Sequence, residues 1–223
     1  MTVIESLEKA LVEGVQQIGQ IRIFQNHIGS AFVLCHLDDV ELVAIESIHE
    51  LEIFSDATDA REIGKFCPEG EYRFTKGQMD LKSGWLLKLE SIEALRIALE
   101  TFYPASVSLW KAVEDGEIRI QNLRDKLDRQ TGMYRFAKSI SDEGAQKLIQ
   151  KLCGPGNNCV KKILWKLDDE TPLVESEASK FDGILGYGTE SNTIPLVCQE
   201  ACNFFVSKCR IAAKREFEAK SEG

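Results

Sequence analysis

Apolar residues at Ile4, Leu7, Leu11 and Val15 recur every three to four positions, the stripe of an amphipathic helix over residues 3–16. After Gly19 the period shortens to two through Ile21 and Ile23. A turn covers Asn26 to Ser30, and Ala31 to Leu37 reads as a second strand. The two strands form a hairpin, with Asp38 and Asp39 closing it. Residues 40–54 are apolar without a clear period and take no assignment from the pattern. Ser55 or Asp56 is placed to cap a short helix running to Phe66.

The turn signal Cys67-Pro68-Glu69-Gly70 opens the middle of the chain, and Gly84 to Leu89 reads as a strand. Ser91 then caps a helix with Ile92, Leu95, Leu99 and Phe102 on one face, stopped by Pro104. A second helix covers residues 105–114, a strand Glu117 to Ile120, and a charged helical stretch residues 121–130. Ser141 caps a further helix bearing Ala145, Leu148, Ile149 and Leu152, which the run Gly154-Pro155-Gly156-Asn157-Asn158 ends abruptly. Val160 to Leu167 follows. Residues 168–194 are a polar, glycine-bearing excursion, after which Pro195 is expected to launch a last helix through Phe217. The pattern gives an α+β chain in three parts: a small amino-terminal α/β domain over residues 1–60, a middle domain over 61–138, and a mainly helical carboxyl-terminal domain over 139–223. There is no repeat at a fixed period.

Composition narrows the function. The 223 residues are 43% hydrophobic and 28% charged, which fits a packed core rather than disorder. The formal charge of −9 disfavours nucleic acid and anionic membranes as partners. No stretch approaches the roughly 20 apolar residues that span a bilayer. Met1 to Ala10 lacks the basic and apolar regions of an export signal, so a cytoplasmic location is expected. In that reducing compartment disulfides are rare, and clustered cysteines point to metal or redox chemistry.

Of seven cysteines, five fall between Cys153 and Cys209. Cys153 and Cys159 bracket a loop of Gly, Pro and Asn, able to approach a metal group closely and aim backbone N–H groups at sulfur. Cys198 and Cys202 are spaced i, i+4, on one face of the expected helix start, where N–H groups favour the thiolate. From spacing alone, three outcomes stay open for the four: an iron–sulfur cluster, structural zinc, or unligated core thiols. Zinc sites usually pair cysteines two to four residues apart, whereas the intervals here are Cys-x5-Cys and Cys-x3-Cys. Cys209, seven residues past Cys202 and therefore about 10 Å along a helix, reads as packing, as do Cys35 and Cys67.

The segments QTGMYR (130–135), LCGPGNNCVKKILW (152–165) and PLVCQEACN (195–203) resemble the 4Fe–4S domain associated with CbiX-type sirohydrochlorin cobaltochelatases. The stretch EYRFTKGQMDLKSGWLLKL (71–89), with TFYPASVSLW (101–110), resembles the stabilising domain that precedes it there. The resemblance covers roughly residues 50–210. It implies a 4Fe–4S cluster held by Cys153, Cys159, Cys198 and Cys202, with zinc as the alternative metal. It also implies an association with tetrapyrrole or cobalamin metabolism; one-electron transfer beside a redox partner or a pathway enzyme is expected, the alternative being a non-enzymatic binding module in which the cluster or a zinc ion is a structural staple. His27, His36 and His49 sit in no chelatase motif, so a stand-alone cluster protein is expected.

Other residues are weighed against plain structure. Lys161, Lys162 and Arg210 lie near the cysteines and read as solvated surface charge. Trp165 and Phe205 suit either core packing or shielding of a cluster from water. Tyr134 and Arg135 read as structural, and His36 as an exposed histidine. GILGYGT (183–189) lacks the Gly-Lys-Ser/Thr ending of a phosphate loop, and no nucleophile elbow is present. No catalytic residue can be named.

Overall fold

The first helix forms where the stripe predicts it but stops a turn early: α1 runs Val3–Val12. Thr2 and Glu5 cap it reciprocally. The Glu5 N–H donates to Thr2 Oγ1 at 3.2 Å and the Thr2 N–H to Glu5 Oε2 at 2.7 Å. The structure, a computed structural model, describes residues 1–64, 81–129, 136–153, 159–170 and 192–221. It divides into two units: Met1–Gly116 with Thr189–Leu196, and Glu117–Gly188 with Val197–Gly223.

In the first unit, β1 (Gln17–Ile18), β2 (Ile21–His27) and β3 (Ser30–His36) run antiparallel in succession. The β2–β3 turn is Ile28-Gly29, both residues at positive φ (51° and 73°), as a two-residue hairpin requires. Gly29 adopts that conformation without strain, and Ile28 does so against its β-branch. At the β1–β2 turn, a Cβ on Gly19 would meet the Tyr103 and Leu196 side chains at 2.7 Å. Asp38 and Asp39 do not close the hairpin. They lie at its other end, in a 3₁₀ turn over Leu37–Asp39 that leads into α2 (Val40–Ala44). There the His36 Nδ1 accepts the Asp38 N–H at 3.1 Å, and the buried Asp39 carboxylate accepts the Gly84 N–H at 2.7 Å.

Residues 40–54, without a period in sequence, hold α2, a 3₁₀ turn at Ile48–Glu50 and β4 (Glu52–Phe54). Asp56 caps a 3₁₀ turn entering α3 (Ala60–Ile63). β5 (Trp85–Leu89), α4 (Ile92–Phe102) and α5 (Ser106–Glu114) follow, with Ser91 Oγ accepting the Ala94 N–H at 3.1 Å. The late strand β9 (Thr193–Ile194) completes a six-stranded sheet ordered β4-β5-β3-β2-β1-β9. Register places Ile23, Leu34 and Leu87 side by side on one face. On that side the buried residues of α1 and α4 pack, and Trp85 stacks on Phe102 at 5.1 Å. The opposite face, with Val33, Cys35 and Leu86, is covered by Val43 and Leu51. The sequence division at residue 60 falls inside this unit, because β5 pairs with β4 on one side and β3 on the other.

The second unit starts at Glu117, so the division at residue 138 also falls inside a unit. Its strands are two residues long. β6 (Gln121–Asn122) replaces the strand expected at 117–120 and runs parallel to β8 (Trp165–Lys166). β7 (Lys162–Ile163) runs parallel to β10 (Val197–Cys198). Helices supply the bulk: α6 (Leu123–Asp128), α7 (Asp142–Leu152) and α8 (Asn203–Ser221). Leu127, Ala145, Trp165, Phe205 and Val206 form their shared core. No described helix is long and apolar enough to cross a membrane. QTGMYR, Cys67 and GILGYGT lie outside the described residues.

Candidate metal centre

Three of the four cysteines stand at the end of an element, and Cys159 lies three residues ahead of β7. Cys153 is the C-cap of α7, its N–H donating to the Ile149 carbonyl at 3.0 Å. Cys159 precedes β7, and Cys198 ends β10, whose pairing sets Cys198 opposite Ile163. The Leu164 N–H donates to the Cys198 carbonyl at 2.8 Å, so this short ladder draws the 159 and 198 segments together. Cys202 immediately precedes α8. Its carbonyl accepts the Val206 N–H at 3.0 Å, and its sulfur accepts the Phe205 N–H at 3.5 Å, where a capping serine would place oxygen.

This corrects one expectation. Pro195 does not launch the last helix, and Cys198 and Cys202 do not share its first turns. Residues 193–194 and 197–198 pair as strands with distant partners, Gln17–Ile18 and Lys162–Ile163, and that pairing keeps the chain extended until Cys202. The helix terminus still acts on Cys202, as a cap.

The four sulfurs are neighbours. Charge on any one disfavours charge on the others: Cys153 feels Cys198, Cys159 and Cys202; Cys198 feels Cys202 and Cys159; Cys159 feels Cys202. Burial is the larger cause of the raised pKa values, pushing Cys198 up to about 12 and Cys153 and Cys159 upward as well. Holding several thiolates here therefore demands a bound cation. Two of the four sulfurs already face N–H donors: the Lys161 N–H approaches Cys159 Sγ at 3.4 Å, and the Phe205 N–H approaches Cys202 Sγ at 3.5 Å. In the thiol form Cys198 Sγ donates to the Glu200 carbonyl at 3.1 Å, and a Lys126–Glu200 ion pair at 3.0 Å tethers that loop to α6.

Soft sulfur donors with N–H groups directed at them suit an iron–sulfur cluster or zinc and fit hard cations poorly. Among the described residues, no three Cys, His, Asp or Glu side chains close on one point as ligands of a single ion. None of the six described cysteines is in a disulfide. Cys209 is fully buried in the α6–α8 core, with its thiol pushed up to about 12 chiefly by burial. Cys35 sits buried in the sheet of the first unit, likewise at about 12.

Two further expectations change. His36 is buried, not exposed: its ring caps the 3₁₀ turn and meets the Gln20 amide at 3.2 Å. Lys162 is 2% exposed, because β7 turns its side chain inward beside Val197. Nothing in the sequence pointed to the Lys161 N–H as the donor at Cys159. A reader could have found the Cys202 cap by treating Cys202-x-x-Phe205 as a capping pattern.

Comparison with known proteins adds to this geometry. Residues 115–211 match the family model of the 4Fe-4S iron-sulfur cluster binding domain. The cysteine-bearing unit thus has a cluster-binding counterpart. Residues 5–114 match the DR2241 stabilising domain, a match that begins well before the middle segment and takes in α1 and the first hairpin. No curated protein matches the chain. Among solved structures, DR2241 from Deinococcus radiodurans is similar in fold, with a TM-score of 0.72 at 20% identity over 96% of this chain. That protein is described as multi-domain, with structural similarity to chelatases and two additional novel domains. The present chain spans 42% of its length.

Proposed function

We propose that Cys153, Cys159, Cys198 and Cys202 hold a 4Fe–4S cluster and that the protein transfers single electrons in or beside tetrapyrrole metabolism. The observation that carries this reading is the mutual proximity of four sulfurs drawn from two distant stretches of chain. The family match over residues 115–211 supports the cluster. The chelatase-like character of the similar solved protein supports the pathway, with a chelatase-type enzyme or redox protein of that pathway as partner.

When bound, such a cluster supplies one-electron redox chemistry. The chain's own residues do the rest. Cys202 at the α8 cap, with the Phe205 N–H aimed at its sulfur, and Cys198 at the end of β10 would supply two of the four sulfur ligands. Trp165 and Phe205, with ring centroids 5.3 Å apart, keep water from the inner side. Cys202, the exposed member of the four, leaves one edge open to a partner.

Anaerobic purification tests the reading. A brown protein with about four iron and four sulfide per chain, reducible to a paramagnetic state, is the expected result. A colourless protein with one zinc would overturn it.

A second reading, in which the metal is a structural staple, is favoured by one observation: among the described residues, the ladders of this unit are only two residues long. A cluster that forms but resists reduction across the range of physiological donors would select that reading instead.

A further inference from the structure

Charge is divided unevenly between the two units. Met1–Gly116 with Thr189–Leu196 holds 21 acidic and 10 basic side chains, whereas the cysteine-bearing unit holds 15 acidic and 17 basic. On α8 three of the basic side chains gather on one side. Its buried residues Phe205, Val206, Cys209 and Ala213 mark the side turned to the core. The outer side, at i, i+4, i+7 and i+11, reads Phe204, Lys208, Ile211, Arg215, with Lys214 beside it. Lys208 and Lys214 lie over the rings of Phe204 and Phe136, 5.0 and 6.0 Å from their centroids. Among the described residues, neither lysine nor Arg215 is ion-paired with a carboxylate. Ile211 is 38% exposed and Phe136 47%. The strip from Phe204 to Arg215 is roughly 16 Å long, and it starts two residues past Cys202, the exposed cysteine.

Resting on the electron-transfer reading above, we propose that this side of α8 docks the acidic surface of a one-electron donor protein. Cations without a carboxylate of their own are available to the carboxylates a partner brings, and their field orients it during encounter. The apolar side chains among them supply area that binding removes from water. This mixture fits a folded acidic protein better than other polyanions. A bilayer takes up the apolar face of a basic helix, and on α8 that face is packed in the core. A nucleic-acid backbone carries phosphate along its whole length and meets the net charge of −9, whereas a protein can confine its carboxylates to one patch. In the docked pair the donor is oxidised by one electron and the bound group reduced by one, with no bond made or broken.

The test is K208E and R215E in the full chain. K147E is the control, on α7 and ion-paired with Glu143. The probe is a flavodoxin, an acidic flavin protein that gives up single electrons. Its binding is measured by calorimetry at about 20 and 300 mM salt, and reoxidation of the reduced probe by the iron-loaded protein is followed by stopped-flow absorbance. At low salt K208E and R215E should each raise the Kd about fivefold and slow electron transfer in step. Iron content should be unchanged, high salt should erase the difference, and K147E should match the wild type. Should a reversal unfold α8, K208Q and R215Q replace it, with a rise in Kd of about twofold. No saturable binding at low salt, or one Kd for all variants, overturns this inference and leaves the cluster reading standing. Salt-sensitive binding that K208E and R215E weaken, with no electron passed, supports the docking face and overturns the electron-transfer reading. Tighter binding of phosphatidylglycerol vesicles or a DNA duplex, weakened by the same changes, overturns the choice of partner. Self-association weakened by them, seen in sedimentation, would make a second copy the occupant and overturn it too.

Discussion

The first unit fills its interior from a six-stranded sheet with α1 and α4 laid against one face and Val43 of α2 against the other, and its buried cysteine, Cys35, is simply one more apolar position between Val33 and Leu86. Among its described residues the second unit has two ladders of two residue pairs each, and its core is made where three helices meet. Cys153, Cys198 and Cys202 lie at element ends, and Cys159 shortly before β7. A sheet like the first one supplies its own cross-links through hydrogen bonds and apolar contact. A unit with so little ladder depends on whatever joins the ends of its helices, and the proposed metal site would join them. Stability and metal binding should thus be separable in one half of the molecule and inseparable in the other.

The largest effect should come from breaking that junction. Cys202→Ala removes a thiolate and the sulfur cap of α8 together, and iron per chain should fall to near zero. Stripping the wild type with a chelator under reducing conditions should then abolish amide-exchange protection in α7 and α8 while leaving β2, β3 and β5 protected. If α7 and α8 stay protected without metal, the contrast between the units collapses.

Next in size is the sheet. Leu34 is fully buried in β3, paired with Ile23 and Leu87. Leu34→Ala should cost about 2–5 kcal/mol in denaturant unfolding of the first unit, as large-to-small core changes do. Iron per folded chain should be unchanged.

A smaller effect tests which sulfurs count. Cys209 is the nearest rival, since it feels the charge of Cys153 and Cys202. It lies within α8, surrounded by core. Cys209→Ala should keep full iron and cost about 1–2 kcal/mol, the scale for losing one buried methylene-sized group. Loss of iron equal to that in Cys202→Ala would overturn the choice of ligands.

Much of this was legible in the sequence, for local reasons. Ser91 and Ser141 stand just ahead of periodic apolar runs, and both cap helices at those places. The alternation through Ile21 and Ile23 marked the hairpin. What failed to show were features set by distant partners. Ile194 and Val197 pair with residues more than 30 positions away, so Pro195 looked like a helix start when it lies between two strands. His36 and Lys162 looked polar and therefore exposed, yet strand register turns each inward. The cysteine spacing announced two pairs. Which N–H groups face the sulfurs depends on where β7 and α8 begin, and no spacing rule encodes that.

The smallest predicted effect separates a local cap from a clasp between helices. Ser141 Oγ accepts the Gly144 N–H at 3.0 Å, capping α7, while Glu216 on α8 accepts both the Ser141 N–H (2.8 Å) and its hydroxyl (2.7 Å). All these groups are exposed, so water replaces much of what a substitution removes. Ser141→Ala deletes the cap and one of the two bonds to Glu216, and should cost about 1 kcal/mol. Glu216→Ala leaves the cap intact and should cost less. Both should retain iron, because neither residue touches the sulfurs. The reverse order, measured by denaturant unfolding of the iron-loaded protein, would mean that the second unit is joined at this end by the clasp as well. The cysteine end would then not be its sole junction, and the dependence of this half on metal would be weaker than the contrast between the units implies.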